Sequence, residues 1–357
     1  MDLDPTLRRA SIVGCGLIGG SVGLALRSQG WHVSGIDGSP ETAARAKDVG
    51  AIDDLGIDPA SAITFVATPV GAIAQQALAA LDATTGAVTD VGGVKAGVVR
   101  SVNSSRFVGG HPMAGSEQLG IEGASTDLFE GAVWVLTPVH DTDAGAYAIV
   151  RSVVSALGAE VIALDPERHD ELVAVVSHVP HLAATALMRL ASERAQEHRA
   201  LLRLAAGGFR DMTRIAAGSP TIWPDICAEN RDAICNVIDS LMSALAELRD
   251  TVATGDREQL LATLGEAQTA RRNLPGRVVQ PAAMVDVRIP VPDRPGVLAE
   301  ITTLATELGV NIADFDIAHS SEGDRGVLLM LVEAGLADAF RTGLVARGYR
   351  PTLRSLE

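Results

Sequence analysis

Lysine is almost missing from this chain of 357 residues: only Lys47 and Lys95 occur, and arginine supplies the remaining positive charge. The formal net charge is −15 at pH 7, and no run of basic residues stands out. Because phosphate backbones are bound by basic surfaces, nucleic acid is not expected as a partner. Arginine grips carboxylates through two parallel hydrogen bonds, but a GC-rich genome would produce the same bias, so both explanations stay open.

Long hydrophobic runs and paired cysteines are also missing. No stretch of about 18 uninterrupted apolar residues occurs, and the N-terminus lacks a basic segment followed by an apolar run, so we expect no membrane association. The three cysteines, Cys15, Cys227 and Cys235, are odd in number and lack metal-ligand spacing. This pattern indicates a reducing compartment, the cytoplasm, and no bound metal. The length predicts two or three domains.

A glycine-rich turn follows the first apolar run. The order of apolar run, GCGLIGG and helical pattern predicts a strand, a tight turn and a helix, with Gly14, Gly16 and Gly19 forming G-x-G-x-x-G. Asp37 ends the next predicted strand, where an acid accepts hydrogen bonds from ribose hydroxyls and repels a 2′-phosphate. NAD is therefore the predicted cofactor. The alternative is a purely structural glycine turn with a solvent-facing Asp37.

Strand and helix patterns alternate up to residue 165, which predicts an α/β domain with a parallel sheet. The carboxyl ends of parallel strands meet at one edge, where such folds bind ligands, so we expect Thr68 and residues 90–93 there. The predicted cofactor-binding residues are Gly14, Cys15, Gly16, Leu17, Ile18, Gly19, Asp37, Ala67, Thr68, Pro69, Gly92 and Gly93.

The stretch GGHPMAGSEQLG, residues 109–120, places His111 on a turn bounded by glycine and proline, just past a predicted strand. A histidine that is neutral at pH 7 can accept a proton, and such a turn restricts its position. We therefore expect His111 to be the catalytic base at the same sheet edge. The alternative is a loop histidine that only satisfies a local hydrogen bond.

The pattern changes to long helical periodicity between residue 167 and about residue 268, broken at Gly207 and at Pro220. This predicts an all-helical domain. Its apolar helices, among them residues 227–248, offer more apolar face than one small bundle buries, so we expect a homodimer. Residues 269–281 are predicted to form a linker.

The sequence SHVPHL brings Ser177, His178 and His181 onto one helical face if the segment is helical. Pro180 removes a backbone donor, so a kink is expected there, as often occurs where a site is built. Two histidines at this spacing without a third ligand make a metal site improbable. Hydrogen-bonded core histidines are the alternative.

Arg210 and Arg214 lie four residues apart in GGFRDMTR and would project together from a helix. Two neighbouring guanidinium groups repel unless an anion lies between them, which predicts an anion pocket. A solvated charged face is the alternative. Beyond residue 281 the order of patterns is βαββαβ, which predicts a small split sandwich with its helices on one face.

The motifs GCGLIGGS, HPMAGSEQLG, SHVPHL and GGFRDMTRIAAGSPTIW, in this order, resemble the prephenate dehydrogenase family, and DRPGVLAEI in a βαββαβ tail resembles an ACT regulatory domain. The resemblance implies a Rossmann domain at residues 1–165, a helical substrate and dimerisation domain at 166–280, and a ferredoxin-like ACT domain at 281–357. It also implies NAD-dependent oxidative decarboxylation of prephenate to 4-hydroxyphenylpyruvate in tyrosine biosynthesis.

For individual residues, the resemblance implies that His111 takes the proton of the substrate's ring hydroxyl and that Arg214 holds a carboxylate. The substrate-binding residues are then Ser177, His178, His181, Arg210, Arg214, Ser116 and Glu117. We expect Glu117 to be paired with an arginine such as Arg214. Family members often carry a serine where this chain has Gly93, so water or a hydroxyl such as that of Ser116 is expected to substitute. Pro224 also stands where an arginine is expected.

ACT domains usually pair side by side and bind an amino acid at the joint, which implies tyrosine as an effector. The predicted effector residues are Asp293, Arg294, Pro295, Gly296, Asn311 and Ile312. Gly296 permits close backbone approach, and free N–H groups at the start of a helix suit a carboxylate. The alternative is a dimer module that binds no ligand.

Three other functions stay under consideration. A 3-hydroxyacid dehydrogenase of the same two-domain plan would use a lysine base on its helical domain, and no lysine follows Lys95. Arogenate differs from prephenate by an amine in place of the keto group, and no residue decides between them. A non-catalytic sensor of NAD and amino acids is the alternative from another class, and His111 together with the arginines argues against it.

Overall fold

A computed structural model describes residues 8–115, 118, 120–197, 201–274, 284–292, 294–319 and 325–355 of the chain. The chain divides into two compact units. One comprises residues 1–192 and 213–253, and the other comprises residues 193–212 and 254–357.

The first unit contains an eight-stranded sheet. Its strands are β1 (Arg9–Val13), β2 (His32–Ile36), β3 (Asp54–Leu55), β4 (Ile63–Val66), β5 (Ala87–Asp90), β6 (Phe107–Pro112), β7 (Val133–Thr137) and β8 (Glu160–Ala163). The spatial order is β3-β2-β1-β4-β5-β6-β7-β8, and the first six strands in the chain pair in parallel. This is the strand order of a Rossmann dinucleotide-binding fold. One pairing departs from the predicted parallel sheet, because β7 runs antiparallel to β6.

Five helices accompany these strands. They are α1 (Leu17–Ser28), α2 (Pro40–Asp48), α3 (Val70–Ala83), α4 (Ala96–Val102) and α5 (Ala144–Ala156). Side chains of a strand alternate between faces, and Ile12 packs in one apolar core with α1 and α5, whereas Val13 packs in another with α3 and α4. The sheet is therefore covered on both faces, which explains why the central strands β1, β4 and β5 are buried along almost their whole length.

Every regular element described between residues 166 and 274 is helical. The helices are α6 (Pro166–Val173), α7 (Val179–Glu197), α8 (Gly207–Thr213), α9 (Trp223–Glu229), α10 (Arg231–Thr254) and α11 (Arg257–Arg272), with shorter 3-10 turns between some of them. A π-helical turn at Ala174–His178 separates α6 from α7, next to Pro180, where the sequence predicts a kink. Helix α11 runs four residues into the predicted linker, and residues 275–283 lie outside the described residues.

The stretch Pro166–Ala195 is long and apolar enough, by length and composition, to cross a membrane. Three of its polar residues, His169, Asp170 and His178, are however buried and hydrogen-bonded to other parts of the first unit. Composition alone therefore does not identify this stretch as a membrane span.

The buried core of α6 to α10 is small. Ala174, Val179 and Ile234 form one cluster in it, and Val173, Ala184, Ala191 and Ile226 are also buried. Along α10, in contrast, large apolar side chains stay exposed, namely Leu241, Met242, Leu245 and Val252. Such a run of exposed apolar residues on one helix is typical of a surface that a partner covers.

The second unit contains a four-stranded antiparallel sheet. Its elements are β9 (Met284–Pro292), α12 (Val297–Glu307), β10 (Ile312–His319), β11 (Arg325–Glu333), α13 (Ala334–Ala346) and β12 (Thr352–Ser355). The strand order is β10-β11-β9-β12. Apolar residues of β9 and β11 form one core with α12 and α13, among them Ile289, Met330, Ile301 and Phe340.

Candidate active site

The glycine turn between β1 and α1 fits a dinucleotide. Gly14 has φ +95°, and a Cβ atom there would lie 2.5 Å from the carbonyl oxygen of Ala67, so only glycine is tolerated. A Cβ on Gly19 would lie 1.9 Å from the carbonyl oxygen of Gly14, while one on Gly16 would meet nothing within 4 Å. The first and third glycines thus permit tight packing, and the second leaves the helix N-terminus open to a pyrophosphate.

Asp37 directly follows β2, which ends one residue earlier than the sequence predicts. Its Oδ2 accepts a hydrogen bond from the backbone N–H of Cys15 at 2.8 Å, and its Oδ1 accepts one from Ser39 N–H at 2.9 Å. Each oxygen keeps a second lone pair, which suits the two hydroxyls of a ribose. Burial, reinforced by the Asp37 charge, raises the pKa of the Cys15 thiol to about 12, so this thiol stays protonated. Leu17 and Ile18 begin α1 in the same turn.

The other predicted cofactor residues also lie at the carboxyl edge. Ala67 and Thr68 follow β4, and Pro69 is the N-cap of α3. The Thr68 Oγ1 atom is buried and has no hydrogen-bond partner within the described part of the chain. Gly92 N–H donates to Asp90 Oδ2 at 2.9 Å. These residues together fit NAD, and the buried Thr68 hydroxyl could form a hydrogen bond with it.

His111 lies inside a strand and not on a turn, which corrects the sequence prediction. Its Cα is registered opposite Val135, because β6 pairs with antiparallel β7 through Pro112. The glycines before it allow close packing against the neighbouring strands: a Cβ on Gly110 would lie 2.6 Å from the carbonyl oxygen of Asp90 at the end of β5. His111 is still at the carboxyl end of β6, at the predicted edge of the sheet.

His111 is hydrogen-bonded to a second histidine. Its Nδ1 lies 2.9 Å from Nε2 of His169, whose Nδ1 lies 2.8 Å from Oδ1 of Asp170. Asp170 also accepts the backbone N–H groups of Lys95 and Ala96, at 2.8 and 2.9 Å, at the start of α4. A carboxylate only accepts hydrogen bonds, so the His169 proton is on Nδ1, and His111 donates from Nδ1 to His169 Nε2.

This assignment leaves the lone pair of His111 on Nε2. Burial lowers the pKa of His111 well below 6.5, and the neighbouring His169, Lys95 and His178 lower it further. His111 is therefore unprotonated at neutral pH. A Cβ placed on Gly93 would lie 3.7 Å from Nε2, so the position at which the resemblance leads us to expect a serine is beside this nitrogen.

The two histidines of SHVPHL both contact Trp223. The ring of His181 stacks on Trp223, with centroids 3.8 Å apart and 14° between the planes, and that of His178 meets it edge-on at 6.2 Å. Nδ1 of His178 accepts from Asn230 Nδ2 at 3.2 Å, which places the His178 proton on Nε2. Burial lowers the pKa of His178 to about 4 and also lowers that of His181. Both are neutral N–H donors at pH 7.

The remaining predicted substrate residues are placed as follows. Ser177 is exposed on the π-helical turn. Arg210 and Arg214 are both exposed, and α8 ends at Thr213, so the regular helix on which they would share a face does not include both. Ser116 and Glu117 lie outside the described residues, so their predicted roles stay predictions. Among the residues that the structure describes, no group of three His, Cys, Asp or Glu side chains has a metal-binding arrangement.

His169, Asp170 and Asn230 were not predicted from the sequence. Helix α6 buries Pro166, His169, Asp170 and Val173. Their spacing, i, i+3, i+4 and i+7, is that of one helix face, and two adjacent ionisable residues on such a face are a signal that could have identified them. Asn230 follows α9 and carries no comparable signal.

The predicted effector residues lie at opposite ends of the strands of the small sheet. Gly296 is the N-cap of α12 with φ +91°, just past the end of β9. Ile312 begins β10 and pairs with Val332, which in turn pairs with Val285 at the start of β9. Arg294 and Pro295 therefore lie at one end of the strands, and Asn311 lies at the opposite end. Asp293 lies outside the described residues. One copy of the sheet does not bring the two groups together.

The comparison with known proteins agrees with this arrangement. Residues 22–163 match the family profile of the prephenate dehydrogenase nucleotide-binding domain, and residues 165–266 match that of the prephenate dehydrogenase dimerization domain. The chain belongs to the prephenate dehydrogenase family. Membership of this family makes it an NAD-dependent oxidoreductase.

Individual relatives extend the match. A prephenate dehydrogenase from Bacillus subtilis (strain 168) is 36% identical over 334 residues, which cover 89% of this chain and 90% of the relative. The crystal structure of prephenate dehydrogenase from A. aeolicus in complex with hydroxyphenyl propionate and NAD+ is 31% identical, with a TM-score of 0.71, over 77% of this chain and 99% of that one. The structure of Synechocystis arogenate dehydrogenase is 29% identical, with a TM-score of 0.67, over 74% of this chain and 98% of that one.

Proposed function

We propose that the chain catalyses the NAD-dependent oxidative decarboxylation of prephenate to 4-hydroxyphenylpyruvate, a step of tyrosine biosynthesis, with His111 as the catalytic base. The observation that carries the role of His111 is the hydrogen-bond chain to His169 and Asp170, which leaves a lone pair on Nε2 of a neutral imidazole. General-base catalysis by a positioned histidine typically contributes about 10²–10⁴-fold in rate.

The reaction needs one base and anchors for anionic groups. His111 Nε2 accepts the proton of the ring hydroxyl; the O–H electron pair forms a carbonyl, and the carbon–hydrogen bond of the same carbon breaks. Bound NAD accepts the hydride that leaves. The ring carboxylate then departs as carbon dioxide, its bonding electrons make the ring aromatic, and the former carbonyl oxygen takes the proton back from His111 to become the phenol hydroxyl.

Several side chains are proposed to hold the substrate. His178 and His181 are neutral N–H donors next to Trp223, and they suit a carboxylate or carbonyl oxygen. Arg214, and more peripherally Arg210 and Ser177, would contact a substrate carboxylate. Arginine is suited to this because its guanidinium group forms two parallel hydrogen bonds with a carboxylate.

The choice between prephenate and arogenate is tested by steady-state assays of the purified protein with each substrate, each with NAD and with NADP. We expect the highest kcat/KM for prephenate with NAD. A higher value for arogenate would assign the chain to the arogenate-specific members of the family, and no turnover with either substrate would favour a non-catalytic sensor.

We also propose a cytoplasmic homodimer with three domains, at residues 1–165, 166–280 and 281–357. The exposed apolar residues of α10 and the match to a dimerization domain support the dimer. Sedimentation of the purified protein tests it. A monomer at micromolar concentration would contradict this proposal.

The tail is proposed to be a ferredoxin-like ACT domain that senses tyrosine. Its βαββαβ element order and the antiparallel order β10-β11-β9-β12 support this fold. Because Gly296 and Asn311 lie at opposite ends of the strands, a site that uses both requires a second copy of the domain. Tyrosine should inhibit the full-length chain, and Asn311→Ala should remove the component of inhibition that is not competitive with substrate. Unchanged inhibition in this variant would mean that tyrosine acts at the active site alone.

A further inference from the structure

Lys95 and Asp90 form a fully buried ion pair next to the active site. Asp90 ends β5, and Lys95 precedes α4, so the pair encloses the loop that contains Gly92 and Gly93. Both side chains are 0% exposed, and the Lys95 ammonium contacts Asp90 Oδ2 directly. Buried ion pairs seldom stabilise a protein more than apolar residues of the same size would. A contribution to folding alone therefore does not explain why one of only two lysines is placed here.

The pair holds both backbone polar groups of Gly110, the residue directly before His111. Oδ1 of Asp90 accepts the Gly110 N–H at 3.0 Å, and Nζ of Lys95 donates to the Gly110 carbonyl at 2.9 Å. Oδ2 of Asp90 also accepts the Gly92 N–H at 2.9 Å. The ion pair thus fixes the backbone that carries the base relative to the loop that faces its free nitrogen.

Lys95 is also linked to the imidazole of His111. Its backbone N–H donates to Oδ1 of Asp170 at 2.8 Å, and the same oxygen accepts Nδ1–H of His169. His169 in turn accepts from Nδ1 of His111. Lys95 therefore contacts the peptide group before His111 through its side chain. Its backbone N–H helps to orient the His111 ring through Asp170 and His169.

We propose that Lys95, paired with Asp90, is a positioning residue for the reaction, which holds His111 in the geometry for proton abstraction. The inference rests on the proposed role of His111 as the base. Misplacing a reacting group by about 1 Å can cost roughly 10²-fold in rate, so two strong hydrogen bonds on the adjacent peptide are sufficient to matter.

The ammonium group has a second effect on His111. In the part of the chain that the structure describes, the charged and titratable groups around the imidazole are Lys95, Asp90, Asp170, His169 and His178. Lys95 is a cation near the ring, and it contributes to the low pKa of His111 after burial and His169. Removing this cation should raise the pKa of His111. A variant that only reduces the amount of folded protein would leave the pKa of His111 in the folded fraction unchanged.

The test uses full-length Lys95→Met and the double variant Asp90→Asn/Lys95→Met. The double variant avoids an unpaired buried carboxylate if the single variant does not fold. Lys47→Met is the matched control, since Lys47 is the other lysine and is exposed on α2, where it pairs with Asp54. We expect kcat to fall by about 10- to 100-fold in the Lys95 variants with the KM for NAD within about twofold, and the acid limb of the kcat profile to move to higher pH.

Lys47→Met should match the wild type in both readouts. Wild-type kcat and an unmoved acid limb in a folded Lys95 variant would overturn the inference. When the wild-type protein is labelled with ¹⁵N-lysine, only two side-chain ammonium groups give signals. The Lys95 signal is the one that is missing in Lys95→Met and that remains in Lys47→Met. It should shift as His111 titrates, and a Lys95 signal that ignores this titration would also overturn the inference.

His111→Asn, measured in parallel, separates the two proposals. If His111→Asn is nearly inactive while folded Lys95 variants are fully active, only the positioning role of Lys95 is wrong. If His111→Asn keeps its activity, the base assignment fails, and the role of Lys95 in positioning that base fails with it.

Discussion

Nδ1 of His111 lies 2.9 Å from Nε2 of His169. Because His169 is bound on its other nitrogen by Asp170, this contact fixes the proton of His111 on Nδ1 and the lone pair on Nε2. Two histidines on separate elements, β6 and α6, thus define which atom of the proposed base is free. The fold therefore determines the tautomer of His111, because it brings β6 and α6 together at this contact.

Replacing His169 should impair catalysis without affecting the cofactor. In His169→Leu, His111 loses the acceptor for its Nδ1–H, so the ring is free to rotate or to adopt the other tautomer. We expect kcat to fall by roughly 10- to 100-fold, with the dissociation constant for NAD within twofold. His140→Leu is the control, because His140 is exposed on the surface. Equal kcat values in the two variants would show that His169 does not orient the base.

The buried His178 should make stability depend on pH. Its pKa is about 4 in the folded protein and close to 6.5 when the chain unfolds, so between these values the unfolded state binds more protons. Its contribution to stability is therefore present above about pH 6.5 and is lost as the pH falls toward 4. Urea unfolding at pH 7 and pH 5 should show a smaller loss of unfolding free energy for His178→Gln than for the wild type. Identical losses would mean that another group, such as His111, causes the pH dependence.

Asp37 should determine the choice of cofactor. In Asp37→Ser the carboxylate that repels a 2′-phosphate is gone, while a hydroxyl remains for hydrogen bonding. The ratio of kcat/KM with NADP to that with NAD should rise by about tenfold or more, since each 1.4 kcal/mol corresponds to a factor of ten. Asp48→Ser, which alters an exposed acid at the end of α2, is the control. An unchanged ratio would show that Asp37 does not contact the ribose.

Arg214 is expected to act mainly in substrate binding. If it grips a carboxylate equally in the ground state and the transition state, Arg214→Gln raises KM for prephenate by roughly tenfold or more and changes kcat little. Arg341→Gln, in the small sheet unit, should leave both constants unchanged. A collapse of kcat at constant KM in Arg214→Gln would instead mean that the arginine acts only in the transition state.

The parts of the site that could be predicted from sequence are those set by local backbone chemistry. The spacing of Gly14, Gly16 and Gly19 with Asp37 locates the dinucleotide turn, because a side chain on Gly14 or Gly19 would clash, and Gly16 leaves the helix N-terminus open. The edge position of His111 also follows from the alternation of strands and helices. Its place within β6 does not, since that depends on the antiparallel pairing with β7, a long-range contact.

The interactions around His111 could not be predicted for the same reason. His169 and Asp170 lie 58 and 59 residues after His111 in the chain, and no motif links them to it. Lys95 is a single residue after a predicted strand, and its burial becomes evident only when Asp90 and Gly110 are seen to enclose it. The predicted linker was partly wrong because Arg271 and Arg272 extend α11, where cations favour the helix C-terminus.

The most direct test of the account is the steady-state kcat of His111→Asn with prephenate and NAD, measured together with the affinity for NAD. Asparagine keeps a polar side chain of similar reach but cannot accept the proton at neutral pH. If His111 is the base, kcat falls by about 10²–10⁴-fold while the affinity for NAD is unchanged. A variant that turns over prephenate nearly as fast as the wild type would contradict it.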